Sequence, residues 1–387
     1  MDTINLLSEL VKIRSYSGEE RKLRQFIKNW MTKRGIEVFE QGENLVVYLK
    51  GTDRTRALVF NSHMDTVSAG EESAWTYGPF NPTKKGNKLI GLGTSDMKSG
   101  LAASMLVAED FSSTRRSPID LWFTYVTNEE VDGSGTKSFA EWFARKGYHR
   151  KYKSIAAIFT EPTGLVEIEH GHRGNYFIEV KTTGLAGHAS RPDKIRGITA
   201  VRKMINFADA LQNEVGVWRR EFPDKYFSPS VTVGEMTSIR ANVKATTKNG
   251  DPEVLADSPN KFASSCVATF DLRTTPYSHN IIYKKFKALA KKMGAKASLL
   301  YDPGPSGFTD PKREIIKVLK SFVKKTKLTV SQGSADLGFL TARGIKAVIF
   351  GPGEKEQSHK INEFCYPSQI SDAVRIYRAV VEKWANE

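Results

Sequence analysis

The chain has 387 residues, 40% of them hydrophobic and 26% charged, with a formal net charge of +15; this is enough for two domains and the composition of a globular protein, not a disordered or fibrous one. No apolar run approaches the length of a transmembrane helix, and the opening segment MDTINLLSELVKIRS lacks the basic head and apolar block of a signal peptide. Two distant cysteines, Cys266 and Cys365, read as thiols of a reducing compartment, so a cytoplasmic location is expected.

The opening segment reads as an amphipathic helix with Ile4, Leu7, Leu10 and Val11 on one face. Ser17-Gly18-Glu19-Glu20 has the form of a capping box, opening a helix that runs toward Gly35. Short strands follow at Val38, Leu45 to Leu49 and Ala57 to Phe60, the last leading into NSHMDTV. After a Gly/Pro-rich loop come GLGTSDMKSG (91–100) and a small-residue helix, LAASMLVAEDF. Leu121 begins an apolar run of strand formers that ends in TNEEVDG, with Glu129 and Glu130 side by side; such a run reads as a strand buried on both faces. Thr136 to Lys146 reads as a helix, and Ile155 to Phe159 as another buried strand ending in Thr160-Glu161-Pro162.

Near residue 172 the texture changes. YFIEVKTTG alternates as a half-exposed antiparallel strand does, GHASRP reads as a turn, and a helix runs from about Ile198 to Glu214. VTVGEMTS and SCVATFDLR are further strands. Basic helices at Ile281 to Met293 and Glu314 to Lys325, a buried strand at Ala347 to Phe350, the segment GPGEKEQSHKINE and an amphipathic helix from Ser371 to Trp384 complete the chain. Strands alternating with helices predict an α/β fold with a mostly parallel sheet flanked by helices. The middle block predicts an inserted, smaller α+β unit. The expected division is 1–171 with 285–387, and 172–284.

The positive excess bears on partners, not on fold. The lysines are spread along predicted helices (Lys284, Lys285, Lys287, Lys291, Lys292 and Lys296, then Lys317, Lys320, Lys324, Lys325 and Lys327) without interleaved aromatics. A solvated basic surface is therefore favoured over nucleic-acid binding.

His63, Asp65, Asp96, Glu129, Glu130, Glu161 and His359 each follow an apolar run or a glycine-rich turn beside one. Open sheets gather ligands from several strand ends at one crevice. Imidazole with carboxylate and no thiolate suits a divalent ion: zinc first, with cobalt or manganese as alternatives. Two histidines and several carboxylates exceed the needs of one tetrahedral ion and suit two ions joined by a carboxylate. Such a pair would also neutralise the charge at Glu129 and Glu130, one of which could be a ligand and the other a general base.

SHMDTV, GTSDMKSG, TNEEVDGSG, TEPTG, GHASRP and GPG…SHKINE, in this order, resemble the co-catalytic zinc aminoacylase and carboxypeptidase family. That family includes acetylornithine deacetylase, succinyl-diaminopimelate desuccinylase, carboxypeptidase G and tripeptidase T. The resemblance, from about Ser17 onward, implies a zinc-peptidase-like catalytic domain with a ferredoxin-like lid and dimerisation domain. It implies that Asp96 bridges two metals, that His63 and Glu161 bind one and Glu130 and His359 the other. Asp65 would orient His63, and Glu129 would be the general base. His188 would stabilise the oxyanion, coming from the partner subunit in dimeric members, and Asn260 and Arg273 would bind substrate. A cis peptide after Asp96 is also implied. Lys261-Phe262-Ala263 follows Asn260 where relatives usually carry an apolar residue and then Ile-Pro. The implied reaction is hydrolysis of an N-acyl amino acid, with di- or tripeptides and carboxypeptidase substrates as the alternative and a non-catalytic ligand-binding member as a reading of another class. A homodimer is expected, and the basic surface leaves open a substrate whose acyl group rides on an acidic carrier protein.

Overall fold

The computed structural model describes residues 3–113, 116–185, 187–190, 197–234, 236–242, 245–246, 252–253, 260–323 and 326–386. Arg191 and Pro192 of the GHASRP turn, Glu235 of VTVGEMTS, and Lys324 and Lys325 at the end of a basic helix lie outside them. The chain forms two compact units: Met1–His172 with Gly307–Ser331 and Ala335–Glu387, and Arg173–Ser306 with Gln332–Ser334.

The first unit is built on a nine-stranded sheet whose four central strands, Ile119–Val126, Asp53–His63, Ser154–Phe159 and Lys346–Ile349, lie side by side and run parallel. Asn44–Leu49 and Phe39–Gln41 extend it antiparallel on one side. On the other, Glu167–His172 joins antiparallel and carries Gly307–Phe308 antiparallel and Lys327–Ser331 parallel. All eight residues of Ile119–Val126 are buried. The reason is side-chain alternation on a sheet covered on both faces: Leu121, Phe123 and Tyr125 join one core, with Leu58 and Phe60, while Trp122 joins the other, with Ala57 and Val59. Helices Thr3–Lys12, Lys98–Ser113 and Pro367–Trp384 supply the first core and helix Ser134–Arg145 the second. Truncating one of these buried aromatics, such as Phe60, to alanine costs about 3–5 kcal/mol.

Register places the site. His63 pairs with Val126, Asn61 with Phe159, and Phe159 in turn with Ile349. The carboxyl ends of four parallel strands therefore line up, and the segments leaving them begin at one edge.

The second unit has a sheet ordered Thr232–Val233, Ser265–Thr274, Gly174–Thr183, Lys296–Leu299, antiparallel throughout, with Ser238–Asn242 also on Ser265–Thr274. Helices Ala200–Glu221 and His279–Lys292 bury Met204, Phe207, Leu211, Ile282 and Phe286 with Ile178, Val180 and Phe270. The order of strands and helices is that of a split βαβ, ferredoxin-like unit.

Two sequence expectations are corrected, and two strands are added. The first unit resumes at Gly307 and not at 285, because Ile282, Phe286 and Leu289 of His279–Lys292 belong to the second unit's core and Lys296–Leu299 is its edge strand. Ser17 and Glu20 form no capping box: helix Arg21–Thr32 has no side-chain cap bond, and both side chains bond the segments at the carboxyl edge of the sheet instead. Strands Glu167–His172 and Lys327–Ser331 were not foreseen; EIEHGH mixes polar residues with few apolar ones and lacks a strand's alternation.

Candidate metal centre

The segment after Ile119–Val126 turns at once. Asn128 adopts φ +56°, a left-handed conformation that asparagine tolerates better than most residues, and its carbonyl accepts the amides of Asp132 and Gly133 at 3.2 and 2.8 Å. Because the strand has ended, Glu129 and Glu130 escape strand alternation. Their amides donate to the two oxygens of Asp65, 3.1 Å each. The Asn128 amide donates to Glu20 Oε1 at 3.1 Å, and Ser17 Oγ to Asp65 Oδ2 at 2.7 Å. The Ser17–Glu20 segment thus holds the turn.

His63, 1% exposed, ends the neighbouring strand. Its Nδ1 bonds the main-chain oxygen of Asp65 at 2.9 Å, while the Asp65 carboxylate stands 3.5 Å away. Both the carbonyl and the carboxylate of Asp65 thus face His63 Nδ1, and the carboxylate also grips the Glu129–Glu130 turn. His63 Nε2 lies 3.2 Å from Asp96 Oδ1 and 3.5 Å from Glu161 Oε1. His359 Nε2 lies 2.9 Å from Glu130 Oε2 and 3.7 Å from Asp96 Oδ2. Each oxygen of Asp96 thus faces a different histidine. Among the described residues, two groups offer ligand atoms within 4.8 Å of one another: His63, Asp96 and Glu161, and Asp96, Glu130 and His359.

The backbone brings these segments close. Asp96–Met97 is a cis peptide. Gly100, in the helix behind Asp96, and Gly351, after strand Lys346–Ile349, both pack where a Cβ would strike the Thr160 carbonyl. No larger residue would let both approach the Thr160–Glu161 corner.

The donor set fits divalent metal. A tetrahedral ion with N and O ligands at about 2.0–2.2 Å sets its ligands about 3.3–3.6 Å apart, close to the separations around His63. Electrostatics agree. Burial pushes Glu161 up to about 7, reinforced by Asp96 and Glu130 against the pull of His63. Desolvation, then the charges of Asp336 and Glu161, hold Glu129 well above the usual carboxylate range. Desolvation and Asp96 raise Glu130 against the pull of His359. The hydrogen bond to Glu130, with the charges of Glu130 and Asp96, outweighs desolvation and carries His359 up to about 9. Burial, with repulsion among neighbouring carboxylates, makes these glutamates hold protons, and a divalent ion would supply the charge that lets them ionise.

Two buried acids near the centre were not singled out from the sequence. Asp336, 5% exposed, is pushed up to about 7 chiefly by burial; it sits against Gly133, where a Cβ would strike it. Glu363, 1% exposed, lies inside SHKINE, a motif that gave it no role.

His188, Asn260 and Arg273 lie in the second unit. His188 and Asn260 meet there: Gly187–His188 pairs with Lys261–Phe262, Asn260 Nδ2 stands 3.1 Å from His188 Nε2, and Ser190 Oγ stands 2.7 Å from His188 Nδ1. Arg273 directs its fork at Asp271, Nε to Oδ1 at 2.7 Å and an Nη to Oδ2 at 2.9 Å. A substrate carboxylate would have to share that guanidinium with Asp271.

The model of peptidase family M20/M25/M40 matches residues 59–383. The chain is 29% identical to succinyl-diaminopimelate desuccinylase of Nautilia profundicola, over 99% of this chain and all of that protein. It is 26% identical to acetylornithine deacetylase of Buchnera aphidicola, over 98% and 97%. Its fold is similar to that of an M20 family metallo-carboxypeptidase from Sulfolobus solfataricus (TM-score 0.73, 17% identity, all of both chains) and of aminopeptidase PepT from Bacillus cereus (TM-score 0.72, 19% identity, 99% and 98%). With that match running from the strand that ends in His63 to the last helix, the chain belongs to peptidase family M20/M25/M40, hydrolases of amide bonds.

Proposed function

We propose that the chain is a dinuclear metal-dependent deacylase that hydrolyses the amide bond of an N-acyl amino acid. The observation that carries this reading is the sharing of Asp96, one oxygen toward His63 and the other toward His359. His63 and Glu161 would hold one ion, Glu130 and His359 the other, and Asp96 both. When bound, the ions would polarise the scissile carbonyl and lower the pKa of the attacking water. Glu129 takes the proton from that water and delivers it to the leaving amine; its raised proton affinity suits a group that must hold a proton between those steps. Asp65 fixes Glu129 and Glu130 through their amides. In the dimer, His188 would come from the partner subunit to stabilise the developing oxyanion, Asn260, which stands against His188, would contact substrate, and Arg273 would receive a substrate carboxylate in competition with Asp271.

The deacylase branch is favoured over the peptidases because relatives at 25–29% identity over nearly the whole chain are named desuccinylases and a deacetylase. We assign residues 1–171 and the C-terminal segment the metal-binding catalytic role and the inserted unit a lid and dimerisation role in a cytoplasmic homodimer. The test is hydrolysis of a panel of N-succinyl and N-acetyl amino acids and dipeptides with zinc, cobalt or manganese. Turnover of an acylated amino acid, lost with a chelator and in Glu129→Ala, is expected. Cleavage of dipeptides alone would move the chain to the exopeptidases, and cleavage of nothing in the panel would count against the deacylase reading.

A further inference from the structure

We propose that Glu363 is a positioning residue, a buried carboxylate that clamps the backbone of the Gly93–Asp96 turn and so holds Asp96 in its two-sided orientation. The amides of Gly93, Ser95 and Asp96 converge on it, Gly93 donating to Oε2 at 2.7 Å and Ser95 and Asp96 to Oε1 at 2.6 and 2.9 Å. Glu363 is 1% exposed, so water offers these donors little alternative, and buried amides left unpaired are costly. Both of its side-chain oxygens serve as acceptors to these amides, Oε2 to one and Oε1 to two.

The strand pairing explains how the clamp is reached across 267 residues of sequence. Phe364–Cys365 pairs antiparallel with Lys88–Ile90, Phe364 opposite Ile90. One residue further, the Gly91 amide donates to the Glu363 carbonyl at 2.9 Å. This register delivers the Glu363 side chain beneath the turn at Gly93–Asp96. His359 lies four residues before Glu363, and Asn362 Oδ1 between them accepts the Thr76 amide at 2.8 Å. Glu363 therefore ties the segment bearing His359 to the turn bearing Asp96, and with it the two groups that would share an ion. Asp65 does the same for the Glu129–Glu130 turn: in both places one buried carboxylate holds consecutive amides of a ligand-bearing turn.

The metal arm of this proposal rests on the dinuclear reading; the backbone arm does not. Glu363→Gln is nearly isosteric but turns an amide N–H₂ toward a backbone donor. Two readouts are compared in wild type, Glu363→Gln, Glu363→Asp and Cys365→Ala: hydrogen exchange of the peptide spanning 91–97, and zinc affinity of chelator-treated protein by direct titration. In Glu363→Gln the peptide should exchange about tenfold faster, as a buried amide left without an acceptor implies, and zinc should bind about 10- to 100-fold more weakly. Glu363→Asp should recover part of both. Cys365→Ala, which trims a buried neighbour in the same strand, should lower thermal stability and leave both readouts near wild type. Wild-type exchange in Glu363→Gln overturns the clamp, as does an equal effect of Cys365→Ala on both readouts. If wild-type protein takes up no zinc, the dinuclear reading fails, and the exchange measurement alone decides the clamp.

Discussion

Asp65→Asn separates two tasks that the carboxylate could perform. In the structure Asp65, 1% exposed, accepts the amides of Glu129 and Glu130 and the hydroxyl of Ser17, while His63 Nδ1 bonds its main-chain oxygen. Asparagine keeps that main-chain contact and one side-chain acceptor, but aims a donor at one of the two amides. A hydrogen bond to a charged group is worth about 1.5–3 kcal/mol, and an unpaired buried donor adds to the loss. If about 2–3 kcal/mol is lost from the placement of Glu129, kcat falls about 30- to 150-fold. Zinc affinity at the His63 site should change far less, because the bond that orients the ring is retained. The assay is steady-state hydrolysis of the best substrate of the acyl panel, with zinc titration of the same preparations. A kcat within twofold of wild type would refute the reasoning, and so would a loss confined to zinc affinity, which would return Asp65 to the role of orienting His63.

The same geometry sets other outcomes. Glu129→Ala should retain its metal and lose about 10²- to 10⁴-fold in kcat, the usual contribution of a general base, checked by metal analysis beside single-turnover kinetics. Glu130→Ala should instead lose one ion, read by elemental analysis of dialysed protein. In chelator-treated protein, Glu161 and His359 have folded-state values raised to about 7 and about 9, so the native state holds protons that the unfolded chain releases. The contribution of these two groups to stability should therefore be full below their unfolded-state values and be lost as pH rises, from about 4.5 through about 7 for Glu161 and from about 6.5 through about 9 for His359; urea unfolding above neutral pH measures it, and His359→Gln should flatten the upper part. Gly100→Ala should destabilise the protein by about 1–3 kcal/mol through overpacking against Thr160, seen as a lower urea midpoint.

Much of the centre was legible because its residues sit at strand ends within compact motifs. A buried parallel strand announces itself as an apolar run, and the residues just beyond it land at the carboxyl edge of the sheet: His63 after Ala57 to Phe60, Glu129 and Glu130 after the run from Leu121, Glu161 after Ile155 to Phe159. The helix-and-strand alternation likewise pointed to the first unit's architecture. The hidden parts depend on contacts far apart in sequence. Ser17 and Glu20 match a local helix cap so well that nothing nearby reveals their bonds to Asp65 and Asn128. Glu363 carries no mark of its partners at Gly93, Ser95 and Asp96, because strand register and not motif brings them together. The boundary near 285 was missed because a basic amphipathic helix does not say which core it covers. Arg273 in FDLR offers a fork for a carboxylate, but the competitor two residues earlier, Asp271, becomes visible only on the strand, where i and i+2 share a face.

The most direct test is anomalous diffraction at the zinc edge from crystals of zinc-loaded protein. Two peaks flanking Asp96 are expected, one between its Oδ1, His63 and Glu161, the other between its Oδ2, Glu130 and His359. A single peak, or zinc bound away from Asp96, would contradict the shared-carboxylate centre on which the proposed hydrolysis depends.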